Sequence, residues 1–245
     1  MRNQIVVLAA GKGTRMGQAD MPKVLVMLKN KPLILHVLEQ VEKINQLAKP
    51  LVIVGYKHMQ VRSVLGDGFM YALQEQQMGT GHALMCAEGQ VVGDNILVLY
   101  GDMPFISAES LKKLMRLHHE QQSNISMFTT TVNNFAEFPS LHKFGRIIRD
   151  TYGNILKITE YKDASAEERT IREVNPGIYM FNSTWVFNNI HTIQNKNAQG
   201  EYYLTDMVEV AIALGENICS LAIPPSEVIG INSPEELLAA EKLLQ

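Results

Sequence analysis

The sequence predicts an α/β protein with a mixed, mainly parallel sheet and helices on both of its faces. Short apolar runs rich in β-branched residues occur at residues 5–10, 51–55 and 96–101, each ending at or just before a glycine. Such runs are typical of strands buried on both faces of a parallel sheet. The helical spacing of apolar residues at 33–44 predicts a helix that connects the first two of these strands. This alternation indicates right-handed βαβ units in a Rossmann-like arrangement.

The second half of the chain changes character after about residue 124 and predicts antiparallel strands joined by loops. Residues 125–132, 145–149, 155–159 and 174–181 are strand-like, and a Tyr-Gly-Asn turn signal at 152–154 separates two of them.

Two helices are predicted near the C-terminus. One covers residues 204–214 and ends at Gly215. The last begins after Ser233, because serine suits the N-cap and Pro234 suits the first helical position. Upstream, the adjacent histidines 118 and 119 are expected on the face of another helix.

The composition is that of one globular unit, with 46% hydrophobic and 19% charged residues among 245 and no linker-like stretch. The net charge of −3 gives no general attraction to nucleic acid or anionic membranes, so neither is an expected partner. The first apolar run has six residues, too few for a membrane span, and a cytoplasmic location is expected. Cys86 and Cys219 have no metal or disulfide spacing and are expected to be reduced core residues.

A glycine-rich turn, Gly-Lys-Gly-Thr-Arg-Met at 11–16, follows the first strand at the sheet edge where open parallel sheets bind ligands. A dinucleotide fingerprint needs glycine at position 16, but Met16 is there and Gly17 comes one residue late. A Walker A loop needs a further glycine upstream of the Gly-Lys pair and Ser or Thr directly after the lysine, whereas residues 1–10 contain no glycine and Gly13 follows Lys12. The turn therefore predicts a loop whose amides, Lys12 and Arg15 meet a polyphosphate. A simple strand-to-helix turn with solvated cations is the alternative.

Several separate motifs are similar to those of the sugar-1-phosphate nucleotidyltransferases. The signature residues are 8–16 followed by Pro22-Lys23. Residues 74–83, 100–104, 200–206 and 230–232 resemble, in the same order, motifs of the uridylyltransferase half of the bacterial bifunctional N-acetylglucosamine-1-phosphate uridylyltransferases. The resemblance extends over nearly the whole chain and implies the nucleotide-diphospho-sugar transferase fold.

The resemblance implies Mg²⁺-dependent transfer of a uridylyl group from UTP to N-acetylglucosamine 1-phosphate, giving UDP-N-acetylglucosamine and pyrophosphate. Transfer at phosphorus depends mainly on positioning and charge stabilisation, so cations and a hard metal ion are expected in place of a nucleophile triad. Two alternatives stay open. One is a nucleotidyltransferase that uses another sugar 1-phosphate or dTTP, and the other is a nucleotide-sugar-binding regulator that has lost catalysis.

The resemblance also assigns roles to individual residues. Arg15 and Lys23 would act on the triphosphate and the developing pyrophosphate charge, with Lys12 assisting, and Asp102 and Asn232 would hold Mg²⁺, which prefers oxygen ligands. The nucleotide would contact Leu8, Ala9, Ala10, Gly11, Lys12, Gly13, Gln74, Gly79, Thr80, Tyr100 and Gly101. The sugar would contact Gly145, Glu160 and Asn175.

The sugar side of the sequence departs from the family pattern. The family usually shows Gly-Tyr-Gly-Arg shortly after a proline, whereas here the segment after Pro139 is longer and has Phe144 in place of tyrosine. Pro176 replaces the usual small polar residue. Such differences shift selectivity by only about 1–3 kcal/mol, enough to retune the preferred sugar. His82, inside the nucleobase motif, is expected to be structural, since phosphoryl transfer needs no histidine.

The resemblance divides the chain into a nucleotidyltransferase domain at residues 1–232 and a C-terminal helix at 233–245. The hexapeptide repeats of the left-handed β-helix, which carries acetyltransferase activity in the bifunctional enzymes, are not found in this sequence. Acetyl transfer is therefore not expected of this chain, and its oligomeric state stays open.

Overall fold

A computed structural model describes residues 2–16, 20–44 and 47–244. Gly17 lies outside these parts, as do Met1, the first residue of the predicted nucleotidyltransferase domain, and Gln245, the last residue of the predicted C-terminal helix. The strands are β1 (Asn3–Ala9), β2 (Met27–Leu28), β3 (Lys31–Pro32), β4 (Leu47–Val54), β5 (Met70–Leu73), β6 (Asn95–Tyr100), β7 (Ile125–Thr131), β8 (Gly145–Arg149), β9 (Ile155–Thr159), β10 (Glu173–Asn175), β11 (Tyr179–Asn182) and β12 (Ile218–Ala222). The helices are α1 (Leu33–Glu42), α2 (His58–Leu65), α3 (Thr80–Met85), α4 (Ala108–Glu120), α5 (Ser183–Asn189), α6 (Asp206–Ala213) and α7 (Pro234–Leu243).

The main sheet has the strand order β5-β4-β1-β6-β11-β7, and β12 pairs with the other edge of β7. The pairs β4–β5, β1–β4, β1–β6 and β7–β12 are parallel, while β11 runs antiparallel to both of its neighbours. From the far end of β7 the sheet continues through β10, β8 and β9, all antiparallel. The predicted mixed, mainly parallel sheet is confirmed.

Helices cover both faces of this sheet, as the buried strands require. Alternate residues of β1 point to opposite sides: Ile5 and Val7 pack with α1, α2 and α4, whereas Val6 packs with α3, α5 and α6. All three side chains are fully buried. Burying one such side chain contributes about 1.5–3 kcal/mol, so the continuous apolar run is what fixes β1 at the centre of the fold.

The predicted strand at 174–181 is wrong in one respect, because the chain forms two strands there. β10 ends at Asn175 and β11 begins at Tyr179. Between them Gly177 has a φ of +78°, and its N–H donates to Asn175 Oδ1 at 2.9 Å. The break turns the chain at the sheet edge where the candidate site lies. The second half is also not purely antiparallel, since β12 runs parallel to β7.

The C-terminal helix begins as predicted. The hydroxyl of Ser233 accepts the N–H of Glu236 at 3.3 Å, and Pro234 occupies the first helical position. Ala240 on α7 packs with Leu28 and Leu33 in a small separate core. The helix is therefore docked on the rest of the fold, while the predicted domain boundary at residue 232 stays a prediction.

The two adjacent histidines lie on α4 as predicted, and His118 belongs to the core. Its ring is buried, with Nδ1 2.9 Å from Ser126 Oγ and Nε2 3.2 Å from Asn95 Oδ1. Burial lowers the pKa of His118 to about 4, so the ring is neutral at pH 7. Along the described parts of the chain, no helix combines the length and apolar character needed to cross a lipid bilayer.

Candidate active site

A cavity of about 220 Å³, here called the first cavity, opens at the carboxyl ends of the parallel strands. Most of the residues predicted to contact a nucleotide line it together, although they come from three separate segments, at 8–11, 74–80 and 100. The lining comprises Leu8, Ala9, Ala10, Gly11, Lys23, Val24, Gln74, Gln77, Gly79, Thr80, Ala83, Tyr100, Asp102 and Glu201.

A second cavity of about 250 Å³ adjoins the first and contains the three residues predicted to contact a sugar, Gly145, Glu160 and Asn175. The cross-strand pairing explains why they meet, since Asn175 on β10 lies opposite Gly145 on β8. A Cβ atom on Gly145 would lie 3.3 Å from Glu160 Oε1, so glycine leaves room for that carboxylate. The residues shared by both cavities are Lys23, Thr80, Tyr100, Asp102 and Glu201.

Lys23 lies at the junction of the two cavities and joins two distant parts of the chain. Its Nζ donates to Asp102 Oδ2 at 2.5 Å and to Asn232 Oδ1 at 2.9 Å. The side chains of Lys23 and Asp102 are only 19% and 9% exposed, so this ion pair is largely shielded from water. The backbone reinforces the arrangement, because the N–H of Ile231 donates to the carbonyl of Asp102 at 3.0 Å.

The glycine-rich turn supports the position of Lys23 from the other side. Gly13 has a φ of +67°, and a Cβ atom there would lie 2.6 Å from Lys23 Cβ. Only glycine accommodates both the left-handed backbone and this close approach. Neither of the two cavities is lined by Lys12, Gly13 or Gly101. Their assignment to the nucleotide stays a prediction.

The oxygens of Asp102 and Asn232 converge on one cationic group, which is the requirement for holding a metal ion. A carboxylate and an amide oxygen are hard donors of the kind Mg²⁺ takes, and Mg²⁺ commonly binds one or two protein groups while keeping waters and phosphate oxygens. The donor set therefore fits the predicted ion. Elsewhere in the described residues there is no cluster of three or more His, Cys, Asp or Glu side chains suited to a metal.

The turn at residues 79–81 is fixed against the distant segment 202–204. Gly81 N–H donates to Tyr202 O and Tyr202 N–H donates to Met78 O, both at 2.8 Å. The hydroxyl of Thr80 accepts the N–H of Leu204 at 3.0 Å. Gly79 has a φ of +105°, and a Cβ atom there would lie 2.5 Å from Tyr202 O, so glycine is required. Two motifs that are far apart in the sequence thus form one wall.

Asn175 is held by its own turn at the floor of the second cavity. Its Oδ1 accepts the N–H of Gly177, and its Nδ2 donates to Tyr179 Oη at 2.7 Å. Gly177 lies against the ring of Tyr100, where a Cβ atom would be 2.7 Å from the nearest ring carbon. The presence of Pro176 therefore does not remove Asn175 from the cavity wall.

The divergent loop before Gly145 is fixed by Arg146, which the sequence analysis did not single out. The buried guanidinium lies between the rings of Phe135 and Tyr161, 4.8 and 5.1 Å from their centroids. It donates to the carbonyl of His142 at 2.9 Å and also to that of Phe144. A buried arginine tied to carbonyls and rings holds the longer loop in one position beside the second cavity.

Arg15 lies on the exposed turn after Gly13 and lines a third, open cavity of about 450 Å³. Glu160, Lys143 and Asn232 line the same cavity, so Arg15 faces the mouth of the site. Residues that the sequence analysis did not predict also line the second cavity, notably Lys143, Glu201 and Tyr203. Glu201 and Tyr203 belong to the motif at 200–206, so that motif could have indicated that they lie at the site.

Burial, reinforced by the nearby carboxylates of Asp206 and Asp163, raises the pKa of Glu160 to about 7 from an ordinary 4.5. Between pH 4.5 and about pH 7, Glu160 holds a proton in the folded protein that it has lost in the unfolded chain. The stability of the fold therefore falls as the pH rises through this range. We expect Glu160→Gln to have little effect near pH 5 but to raise the unfolding free energy by up to about 3 kcal/mol at pH 8. Thermal unfolding of both proteins at the two pH values measures this. A difference in Tm that does not change with pH would contradict it.

Sequence comparison identifies relatives of the chain over its whole length. The family model of the MobA-like NTP transferase domain matches residues 5–150. The bifunctional protein GlmU of Caldicellulosiruptor saccharolyticus is 40% identical over 248 residues, covering 100% of this chain and 52% of that protein. The chain thus spans about half the length of this curated relative.

Structure comparison identifies similar folds at lower identity. A Bacillus anthracis protein described as a glucose-1-phosphate thymidylyltransferase, crystallised with sucrose, superposes with a TM-score of 0.76 at 21% identity, covering 98% of this chain and 94% of the other. A UDP-glucose pyrophosphorylase in complex with UDP-glucose gives a TM-score of 0.76 at 18% identity, covering 100% and 98%. At these identities the similarity concerns the fold alone.

Proposed function

The chain belongs to the family of MobA-like NTP transferase domains and is a nucleotidyltransferase, and on this premise we propose that it transfers a uridylyl group from UTP to N-acetylglucosamine 1-phosphate. The products would be UDP-N-acetylglucosamine and pyrophosphate. The motifs of the sequence suggest these substrates. The similarity to the longer relative supports nucleotidyl transfer to a sugar 1-phosphate, and only for the part of that relative which this chain matches.

One observation supports the proposal above the others: the two cavities share a wall formed by Lys23 and Asp102. A transferase with two substrates needs the attacking phosphate and the α-phosphorus at one junction, flanked by positive charge. A nucleoside triphosphate in the first cavity and a sugar 1-phosphate in the second would meet there. The Lys23 ammonium is at this junction, and the Arg15 guanidinium is on the open side.

The charged residues at the junction would each act on a different part of the transfer reaction. The sugar phosphate oxygen attacks the α-phosphorus in line, and the bond to the pyrophosphate oxygen breaks. Lys23 would stabilise negative charge on the reacting phosphate, while Arg15 would meet the departing pyrophosphate as a planar, permanently charged donor. Asp102 and Asn232 would hold Mg²⁺, which supplies further neutralisation of phosphate charge.

Two features would orient the substrates in their cavities. Gln74 has a buried side chain on the wall of the first cavity, where its amide would meet the edge of a base. In the second cavity, Glu160 and Asn175 offer carboxylate and amide groups to sugar hydroxyls or to an N-acetyl group. Burial raises the pKa of the Tyr100 hydroxyl, so this group between the cavities stays a neutral donor.

The test is pyrophosphate release in the presence of Mg²⁺ with UTP, CTP or dTTP as donor. N-acetylglucosamine 1-phosphate, glucosamine 1-phosphate and glucose 1-phosphate serve as acceptors. We expect kcat/KM to be highest for UTP with the N-acetylated acceptor, and we expect EDTA to abolish the reaction.

The panel separates the alternatives. Equal or better turnover with dTTP or glucose 1-phosphate would replace the proposed substrates by those of another sugar-1-phosphate nucleotidyltransferase. The divergent loop at 140–144, held by Arg146, is the feature that favours this second candidate. Tight UTP binding without turnover of any pair would indicate a regulator that lacks catalysis.

A further inference from the structure

The side chain of Gln74 is held in a single orientation by two neighbours. Its Nε2 lies 3.0 Å from the carbonyl oxygen of Gly79 and 3.0 Å from Nδ1 of His82. A carbonyl oxygen can only accept a hydrogen bond, so the amide end that faces Gly79 must be the NH₂ group. The identity of the two ends of the amide is therefore determined by the backbone.

This orientation also determines the state of His82. Because the second amide hydrogen of Gln74 points to Nδ1, that nitrogen must be an unprotonated acceptor and the ring hydrogen must be on Nε2. Nε2 lies 4.0 Å from Sγ of Cys86, the C-cap residue that follows α3. His82 thus directs the lone pair of Nδ1 at the Gln74 amide.

The oxygen of the Gln74 amide remains for a ligand. Both amide hydrogens are used by Gly79 and His82, and within the described residues no hydrogen bond is made to Oε1. Gln74 is 3% exposed and lines the first cavity, whereas His82 is not part of that lining. An amide in this orientation offers the cavity an acceptor and no donor.

We propose that His82 is a positioning residue that, together with the Gly79 carbonyl, sets the nucleobase preference of the first cavity through Gln74. An acceptor matches a pyrimidine whose ring N3 carries a hydrogen, as in uracil and thymine. It opposes cytosine, whose N3 is itself an acceptor. The inference rests on the proposed function only in assuming that the first cavity takes the base of a nucleoside triphosphate.

The test compares UTP with CTP for the wild type and two variants. His82→Ala removes one of the two acceptors that hold the Gln74 NH₂ group and leaves only the Gly79 carbonyl, whereas His82→Asn can offer an amide oxygen in place of the lost acceptor. One lost hydrogen bond corresponds to about tenfold, so we expect His82→Ala to lower the UTP-to-CTP ratio of kcat/KM about tenfold, through KM rather than kcat. His82→Asn should keep the ratio within about threefold of the wild type.

His191→Ala is the matched control, because it removes an imidazole that is 57% exposed and paired with Glu88 at the surface. An unchanged ratio in His82→Ala, or a ratio in His82→Asn as low as in His82→Ala, would overturn the proposal. Equilibrium binding of UTP and CTP to the same proteins gives the ratio without turnover. If the wild type binds UTP over CTP but transfers nothing, the proposed function fails while the role of His82 is still tested.

Discussion

Asp102→Ala should lower the Mg²⁺-dependent rate of pyrophosphate release by about 10³-fold, since it removes a charged oxygen from the reacting centre. Asp102 Oδ2 is the negatively charged partner of Lys23 at the junction of the two cavities. Without it, Mg²⁺ would retain only the Asn232 amide, and Lys23 would lose its ion-pair partner. The measurement is kcat as a function of Mg²⁺ concentration, together with the Tm of the variant.

The fold is expected to survive this change. The hydrogen bond from Ile231 N–H is made to the backbone carbonyl of Asp102, which alanine retains. Asp67→Ala provides a control, because Asp67 is an exposed carboxylate in a loop outside the three cavities. A kcat for Asp102→Ala within threefold of that of the control would remove Asp102 from the mechanism.

The central strands could be predicted because their physical signal is local. A strand covered on both faces must be apolar throughout, and the runs at 5–10, 51–55 and 96–101 correspond to β1, β4 and β6. By contrast, β12 is short, and only Cys219 of its five residues is buried. Its sequence, Ile-Cys-Ser-Leu-Ala, is interrupted by Ser220 and so carries no continuous apolar run. Its pairing with β7 is a tertiary contact that local pattern does not encode.

The break between β10 and β11 has the same kind of cause. Pro176 and Gly177 are turn formers, but apolar residues on both sides favoured one long strand. The turn is stabilised by Asn175 and by the ring of Tyr100, which approaches Gly177 from a strand residue 77 positions earlier in the sequence. A contact of that sequence separation cannot be inferred from the segment itself.

The candidate site was predictable as a set of residues but not as a geometry. The motifs identified Lys23, Asp102 and Asn232, which are separated by 79 and 130 positions along the chain. That one ammonium bridges both oxygens is visible only in the fold. The orientation of Gln74 by His82 likewise depends on the backbone of Gly79, whose left-handed φ is set by contact with Tyr202.

Lys23→Met should lower kcat by about 10²–10³-fold, because it removes a preorganised cation from a shielded site. A second effect follows from the geometry. The Lys23 ammonium binds the same oxygens of Asp102 and Asn232 that a divalent ion would bind. The lysine is therefore expected to compete with the metal for these oxygens in the free enzyme. The variant is therefore expected to bind Mn²⁺ more tightly than the wild type in the absence of nucleotide, as measured by electron paramagnetic resonance of the free ion.

The two effects have opposite directions, and this distinguishes a lost catalytic cation from general damage to the site. A variant whose site had collapsed would lose both turnover and Mn²⁺ binding. Lys43→Met serves as the control, since the Lys43 ammonium donates to Gln40 Oε1 at an exposed position after α1. If Lys23→Met kept kcat near that of Lys43→Met, Lys23 would have no role in the reaction. If it bound Mn²⁺ no more tightly, the bridging ammonium would not compete with the metal for Asp102 and Asn232.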